Sequence, residues 1–295
     1  LYTKKWPWFV LSIFGLLLLA YAYLRYQIPQ YGTLANIMLI SDQDQSTPGA
    51  VFSDISLFSE SEDAKVEDEI RVLTSRGVIK DVANELNLNL QIFAQGEILE
   101  TETYKSSPIV INFIASDSVI KQTNFNFFID ITSELGFDYR VLDEDEPKPI
   151  VFGETIETSF GGMVITPQNN IKNQVGREFR IQLSPIDLVA QYLRNTIAVY
   201  QSGKSSKVIS LYLEGSIPQK SQDIINTIIK VYDRYTTEVK NVRSKSTSDF
   251  IDNRIELIAS DLVNVDDSIV RFKTGNKITD VNSEAGQFLN SSAQN

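Results

Sequence analysis

The chain has 295 residues, with 27 Lys and Arg against 38 Asp and Glu, for a formal charge of −11. There is no Cys and no His, which excludes disulfides, zinc sites, thiol nucleophiles and histidine-based triads within this sequence. The acidic balance disfavours nucleic acid as a partner, and a 42% apolar composition is enough to bury a core.

Trp6 to Leu24 carries no formal charge. At 1.5 Å per residue this stretch reaches about 28 Å, close to a bilayer core. Lys4 and Lys5 precede it, so the positive-inside rule places that end in the cytoplasm. Trp6 and Trp8 stand at one rim, and Tyr21, Tyr23 and Tyr26 at the other, as in aromatic belts. The same stretch also fits a cleaved signal peptide ending at Ala20-Tyr21-Ala22. Either reading puts residues 27 onward outside the cytoplasm. The chain opens at Leu1 rather than Met, and reads as part of a longer polypeptide.

Thr33–Ile40 is apolar and β-prone, a first strand directly after the membrane segment. Residues 41–62 read as an exposed loop around Pro48-Gly49. Val66, Ile70, Leu73, Val78, Ile79, Val82 and Leu86 step by three and four, predicting an amphipathic helix over 63–88 with a break at Gly77. Residues 107–183 predict sheet, with strands at Ile109–Ile114, Phe125–Ile131, Asp138–Leu142, Thr155–Phe160, Met163–Thr166 and Phe179–Leu183, and a turn at Gly161-Gly162. A helix starting at Pro185 carries Leu188, Val189, Tyr192 and Leu193 on its apolar face. Val208–Leu213 alternates as a strand, with Ile209, Leu211 and Leu213 on one side. The order predicts an α+β domain, a mixed sheet packed with helices.

From Pro218 a helix is predicted, capped by Ser216. Ile251, Ile255, Ile258, Leu262, Val265, Ile269 and Phe272 then step 4, 3, 4, 3, 4, 3, a heptad seam that needs a partner helix. Gly275 and Asn276 close it. The predicted organisation is a cytoplasmic stub and membrane helix over 1–26, an α+β domain over 27–243 and a helical, coiled-coil-like arm over 244–295.

Catalytic motifs are weak. No complete phosphate-binding loop occurs: Gly203-Lys204-Ser205 has Ala198 where the motif needs Gly, and reads as a polar connection. Asp143 to Glu146 lacks the spacing of a calcium loop and reads as a solvated turn before Pro147. Glu154 and Glu157 fall on opposite faces of a strand, against a glycosidase pair. The sequence therefore assigns no catalytic, cofactor-binding or metal residue.

Two stretches carry a resemblance. One is Glu69-Ile70-Arg71-Val72-Leu73-Thr74-Ser75-Arg76, running on to Val82 and Leu86-Asn87-Leu88; the other is Ile217-Pro218 through Ile225-Asn226 to Tyr232. Phe250-Ile251 to Phe272-Lys273 and the Gly153–Gly162 stretch ending in Met163-Val164-Ile165 add to it. In this order the chain resembles the N-terminal membrane and periplasmic part of Wzz/Wzc-type polysaccharide co-polymerases, the chain-length determinant family, in a kinase-linked, Bacteroidetes-like form. The resemblance implies structural roles for Glu69, Leu73, Ser75, Arg76, Pro218, Asn226 and Tyr232, and arm packing for the seam. It implies a ring of identical subunits in the inner membrane, acting with a polysaccharide polymerase, an outer-membrane exporter, membrane lipid and the polysaccharide itself. Family members return to the membrane through a second helix, and the kinase-linked ones then carry a tyrosine autokinase, which uses ATP and Mg²⁺. Neither part is in this sequence, so no kinase role falls on any residue here. The alternative is a membrane-anchored adaptor of an export system, which predicts a β-barrel and a helical hairpin. A carboxylate-dependent hydrolase is a third reading, opposed by the absent His and unpaired acids.

Overall fold

A computed structural model describes residues 5–39, 62–96, 99–142, 146–168, 171–203, 206–275 and 289. The expected loop at 41–61, the acidic run at Asp143–Asp145, most of the Gly203–Ser205 connection and the stop at Asn276 lie outside them. The chain divides into two compact units, Leu1–Asp233 and Arg234–Asn295.

The first unit opens with α1 (Trp6–Arg25), with Pro in its first turn and Arg25 in its last. Along Trp8–Arg25 none of it is buried against protein. After five intervening residues β1 (Tyr31–Met38) begins, and it pairs antiparallel along its whole length with β12 (Val208–Gly215). Close approach of the strands depends on Gly32: a Cβ there would lie 2.7 Å from the Tyr212 hydroxyl.

The expected helix over 63–88 is two helices, α2 (Glu62–Leu73) and α3 (Arg76–Glu85). The break falls at Ser75 rather than Gly77. Ser75 takes an extended backbone and its hydroxyl accepts from Val78 N, so it starts a new helix. Gly77 lies in the first turn of α3, where no special backbone is needed. Asn87 follows at φ 50°, a left-handed conformation that Asn tolerates better than most residues, and turns the chain into sheet.

That sheet starts earlier than residue 107. Its strands are β2 (Leu90–Ala94), β3 (Thr101–Glu102), β4 (Ile109–Phe113), β5 (Phe125–Asp130), β6 (Gly136–Arg140), β7 (Lys148–Val151), β8 (Thr155–Thr158), β9 (Gly161–Pro167) and β10 (Glu178–Leu183). A short α4 (Asp117–Ile120) precedes β5. After β10 come α5 (Ile186–Thr196), β11 (Ala198–Gln201), β12 and α6 (Pro218–Gly275). Three sheets result, ordered β1-β12-β11, β3-β2-β10-β5-β6-β7 and β4-β9-β8. Every pairing among the described residues is antiparallel, where a mixed sheet is expected from the sequence. For β5–β6, β6–β7 and β8–β9 the reason is connection length: short loops join them, and a parallel pair needs a long crossover. The architecture is α+β, and its sheets are open at the β3 and β7 edges rather than closed into the barrel of the adaptor reading.

Three further expectations shift by a residue or two. The β8–β9 hairpin turns at Ser159-Phe160, because Thr158 pairs with Gly161, which takes φ 126° as the first residue of β9. On α5 the buried face is Ile186, Ala190 and Leu193, spaced by four and three, while Leu188 and Tyr192 are exposed. The first α6 bond, Ser221 N to Ile217 O, makes Ile217 the cap position, one residue past Ser216.

Two cores hold the first unit. Ile209, Leu211 and Leu213 of β12 pack with Leu73, Val82, Leu193 and Ile228 from α2, α3, α5 and the first turns of α6. The second core lies between the other two sheets, with Phe127, Phe137, Phe179 and Ile181 facing Ile111, Met163 and Ile165. Each such fully buried side chain is worth about 1.5–3 kcal/mol of apolar transfer.

Candidate assembly and membrane surfaces

The residues marked by the resemblance do not form one site, but several meet. Leu73 is buried in the first core and Ser75 caps α3. Tyr232 on α6 donates its hydroxyl to Glu69 Oε2 on α2 at 2.7 Å, joining residues 163 positions apart. Burial, and then this bond, raise the Tyr232 hydroxyl well above the ordinary tyrosine range. Arg76 and Lys80, one turn apart on α3, both reach Asp187 on α5, at 3.2 and 2.8 Å. Hydrogen bonds from Lys80 and Arg76 hold the Asp187 carboxyl below its usual range. Pro218 opens α6, and Asn226 is exposed on it.

A polar cluster missed by the sequence reading ties the start of α6 to β3. Lys220 pairs with Glu102, both largely buried. Lys105 meets Asp223 at 2.7 Å. Burial and Asp223 push the Tyr104 hydroxyl up to about 12. Clefts of about 260 and 560 Å³ share Leu88, Glu102 and Lys220 in their walls. Among the described residues no group of His, Cys, Asp and Glu is arranged to hold a metal. The cluster's residues are spent on each other, which suits a structural junction.

Within the second unit, α6 leaves its seam uncovered. Ile251, Ile255, Ile258, Leu262, Val265, Ile269 and Phe272 are between 44% and 61% exposed. A heptad seam of this kind is stable only against another helix. The α1 surface is likewise apolar and uncovered, and α1 is the one described helix long and apolar enough to cross a membrane.

The outer face of the six-stranded sheet was not legible from the sequence. Its register sets Glu102, Phe93, Arg180, Phe128 and Arg140 side by side in one row across five strands. The Arg180 guanidinium lies 4.3 Å from the Phe93 ring centre, and that of Arg140 5.6 Å from Phe128. Glu100 accepts from Arg180 at two nitrogens, Gln182 Oε1 accepts from a third at 3.0 Å, and Glu178 accepts from Arg140. Next to this row, Gln91, Gln182 and Asn126 form a second, and Glu178, Asp130 and Asp138 a third.

No family model matches this sequence. A tyrosine-protein kinase ptk from Acinetobacter johnsonii is 22% identical over 306 residues, covering 98% of this chain and 41% of the relative. Two crystal structures of Xanthomonas campestris FlgL match at TM-scores of 0.25 and 0.19, with 15% and 14% identity, over 61% and 48% of this chain and 54% and 41% of theirs; similarity this low carries no argument about fold or function. The chain thus spans about two fifths of the length of a bacterial tyrosine-protein kinase to which it is distantly similar.

Proposed function

We propose that this chain is the membrane-anchored, periplasmic part of a polysaccharide co-polymerase of the Wzz/Wzc type, which helps set the length, or drive the export, of a capsular polysaccharide or exopolysaccharide. One observation carries the reading. The similarity to a tyrosine-protein kinase runs through nearly the whole chain, yet this chain has no complete phosphate-binding loop. In this reading the shared region lies outside the kinase domain and consists of a membrane-length helix, an α+β unit and an apolar-striped helix. That is the order of parts in the periplasmic half of a kinase-linked co-polymerase.

In this reading α1 anchors the chain in the inner membrane, with Lys4 and Lys5 on the cytoplasmic side. Identical subunits pack into a ring, their seams covered by helices of the same arm or of neighbours. The assembly works as a scaffold beside the polymerase and the outer-membrane exporter, and biases how long a growing chain is retained. No residue described here does covalent chemistry; ATP and Mg²⁺ belong to a kinase domain elsewhere in such a protein.

The test is the size distribution of surface and secreted polysaccharide, by gel, in a strain lacking the gene and in its complemented derivative. A shifted or lost modal length, restored on complementation, is the expected result. An unchanged polymer refutes the reading.

A further inference from the structure

We infer that the outer face of the six-stranded sheet binds a neutral glycan chain. This rests on the co-polymerase reading and names the surface through which such a protein would meet its polymer. The row Phe93, Arg180, Phe128, Arg140 is a strip of planar groups. From Phe93 to Arg140 it crosses three inter-strand gaps of about 4.8 Å each, or about 14 Å. Its members are held before any ligand arrives: Arg180 is fixed by Glu100, Gln182 and the Phe93 ring, and Arg140 by Glu178 and the Phe128 ring. Little conformational entropy remains to be lost on binding.

A sugar ring presents a C–H face and a rim of paired hydroxyls. The C–H face packs on flat aromatic and guanidinium planes. The hydroxyls are met by side chains that accept or donate at two atoms, as the amides Gln91 and Asn126 and the carboxylates Asp130 and Asp138 do, while Gln182 between them is held by Arg180 and Ser184. Asp130 and Asp138 face each other across β5 and β6 and make no ion pair among the described residues.

Charge selects among polymers. The face holds two cations, Arg140 and Arg180, against the four carboxylates Glu100, Glu178, Asp130 and Asp138. A negative surface repels acidic polysaccharide and nucleic acid alike.

The probe is polysaccharide extracted from cells carrying the gene, split by anion exchange into neutral and acidic fractions, and applied to the full chain in detergent by affinity electrophoresis. The neutral fraction should retard the protein, at least tenfold less in the Phe93→Ala, Phe128→Ala double variant, with far-UV circular dichroism unchanged. Should that variant misfold, Asn126→Ala with Gln91→Ala gives the same reading at about threefold. No retardation by the neutral fraction, equal retardation of wild type and variants, or retardation by the acidic fraction alone overturns the proposal. The chain has no Cys, so Asn126→Cys places a single thiol on the face. Cross-linking from it to a second copy or another protein in cell membranes also overturns the proposal. If deletion of the gene alters polymer length but the Phe93→Ala, Phe128→Ala variant restores it fully, this surface is refuted while the co-polymerase reading stands.

Discussion

Tyr232→Phe tests how α6 is fastened to the helical layer. The substitution removes one hydroxyl and leaves the ring in place. What is lost is the 2.7 Å bond to Glu69 Oε2, an acceptor that carries charge and is only partly exposed. Hydrogen bonds to charged groups contribute about 1.5–3 kcal/mol, and partial hydration of this one puts it at the lower end, about 1.5 kcal/mol. For a unit of this size each kcal/mol moves Tm by about 2–4 °C, so the expected drop is about 3–6 °C. The assay is thermal and urea unfolding of the full chain in detergent, with Glu69→Gln and the double variant completing a cycle. A coupling of about 1 kcal/mol between the two positions is expected. The pH dependence supplies a second readout. The folded state raises the Tyr232 pKa above the unfolded value of about 10. The neutral hydroxyl is thus the form that the fold favours, so its contribution is complete below pH 10 and lost as pH rises through the folded value. Tyr104, pushed up to about 12, adds a loss of the same sign. Wild type should therefore lose more stability above pH 10 than Tyr232→Phe does. A coupling below about 0.3 kcal/mol, within the additivity of independent sites, or identical alkaline losses, would refute this account.

Ser75→Ala should cost about 1 kcal/mol by chemical unfolding, and Ser75→Asp should recover most of it, because the cap needs only an oxygen acceptor at that position. Gly32→Ala sets a Cβ against the Tyr212 hydroxyl and should cost about 1 kcal/mol; Tyr212→Leu, which withdraws that hydroxyl, should abolish the penalty when the two changes are combined. Ile258→Asp places a charge in the exposed seam and should reduce the oligomer mass in detergent while leaving the unfolding of the first unit unchanged. An oligomer mass equal to that of wild type would show that the seam does not mediate assembly.

The membrane-length helix could be read from sequence because an uncharged run of 19 residues states its own length and needs no contact to define it. The long strands β5, β10 and β12 were legible for a related reason: period-two alternation records which face is buried. Strands β3, β7 and β11 hold two to four residues, too few to show a period, and β7 contains a Pro at a sheet edge. The break between α2 and α3 was misplaced because the apolar step runs on through it; the Ser75 cap decides the boundary, and a Gly in the next turn draws attention away from it. Glu69 and Tyr232 each stood out in the sequence, but their bond did not, since it depends on α2 and α6 meeting across the core of the first unit. The Phe–Arg row is the extreme case. Its members come from β2, β10, β5 and β6, and a register slip of one residue in any strand would turn that strand's contribution to the opposite face. Local pattern determined the longer elements and most of their buried faces, whereas the pairing of distant strands decided which polar side chains became neighbours, because cross-strand adjacency is a property of register and not of sequence spacing.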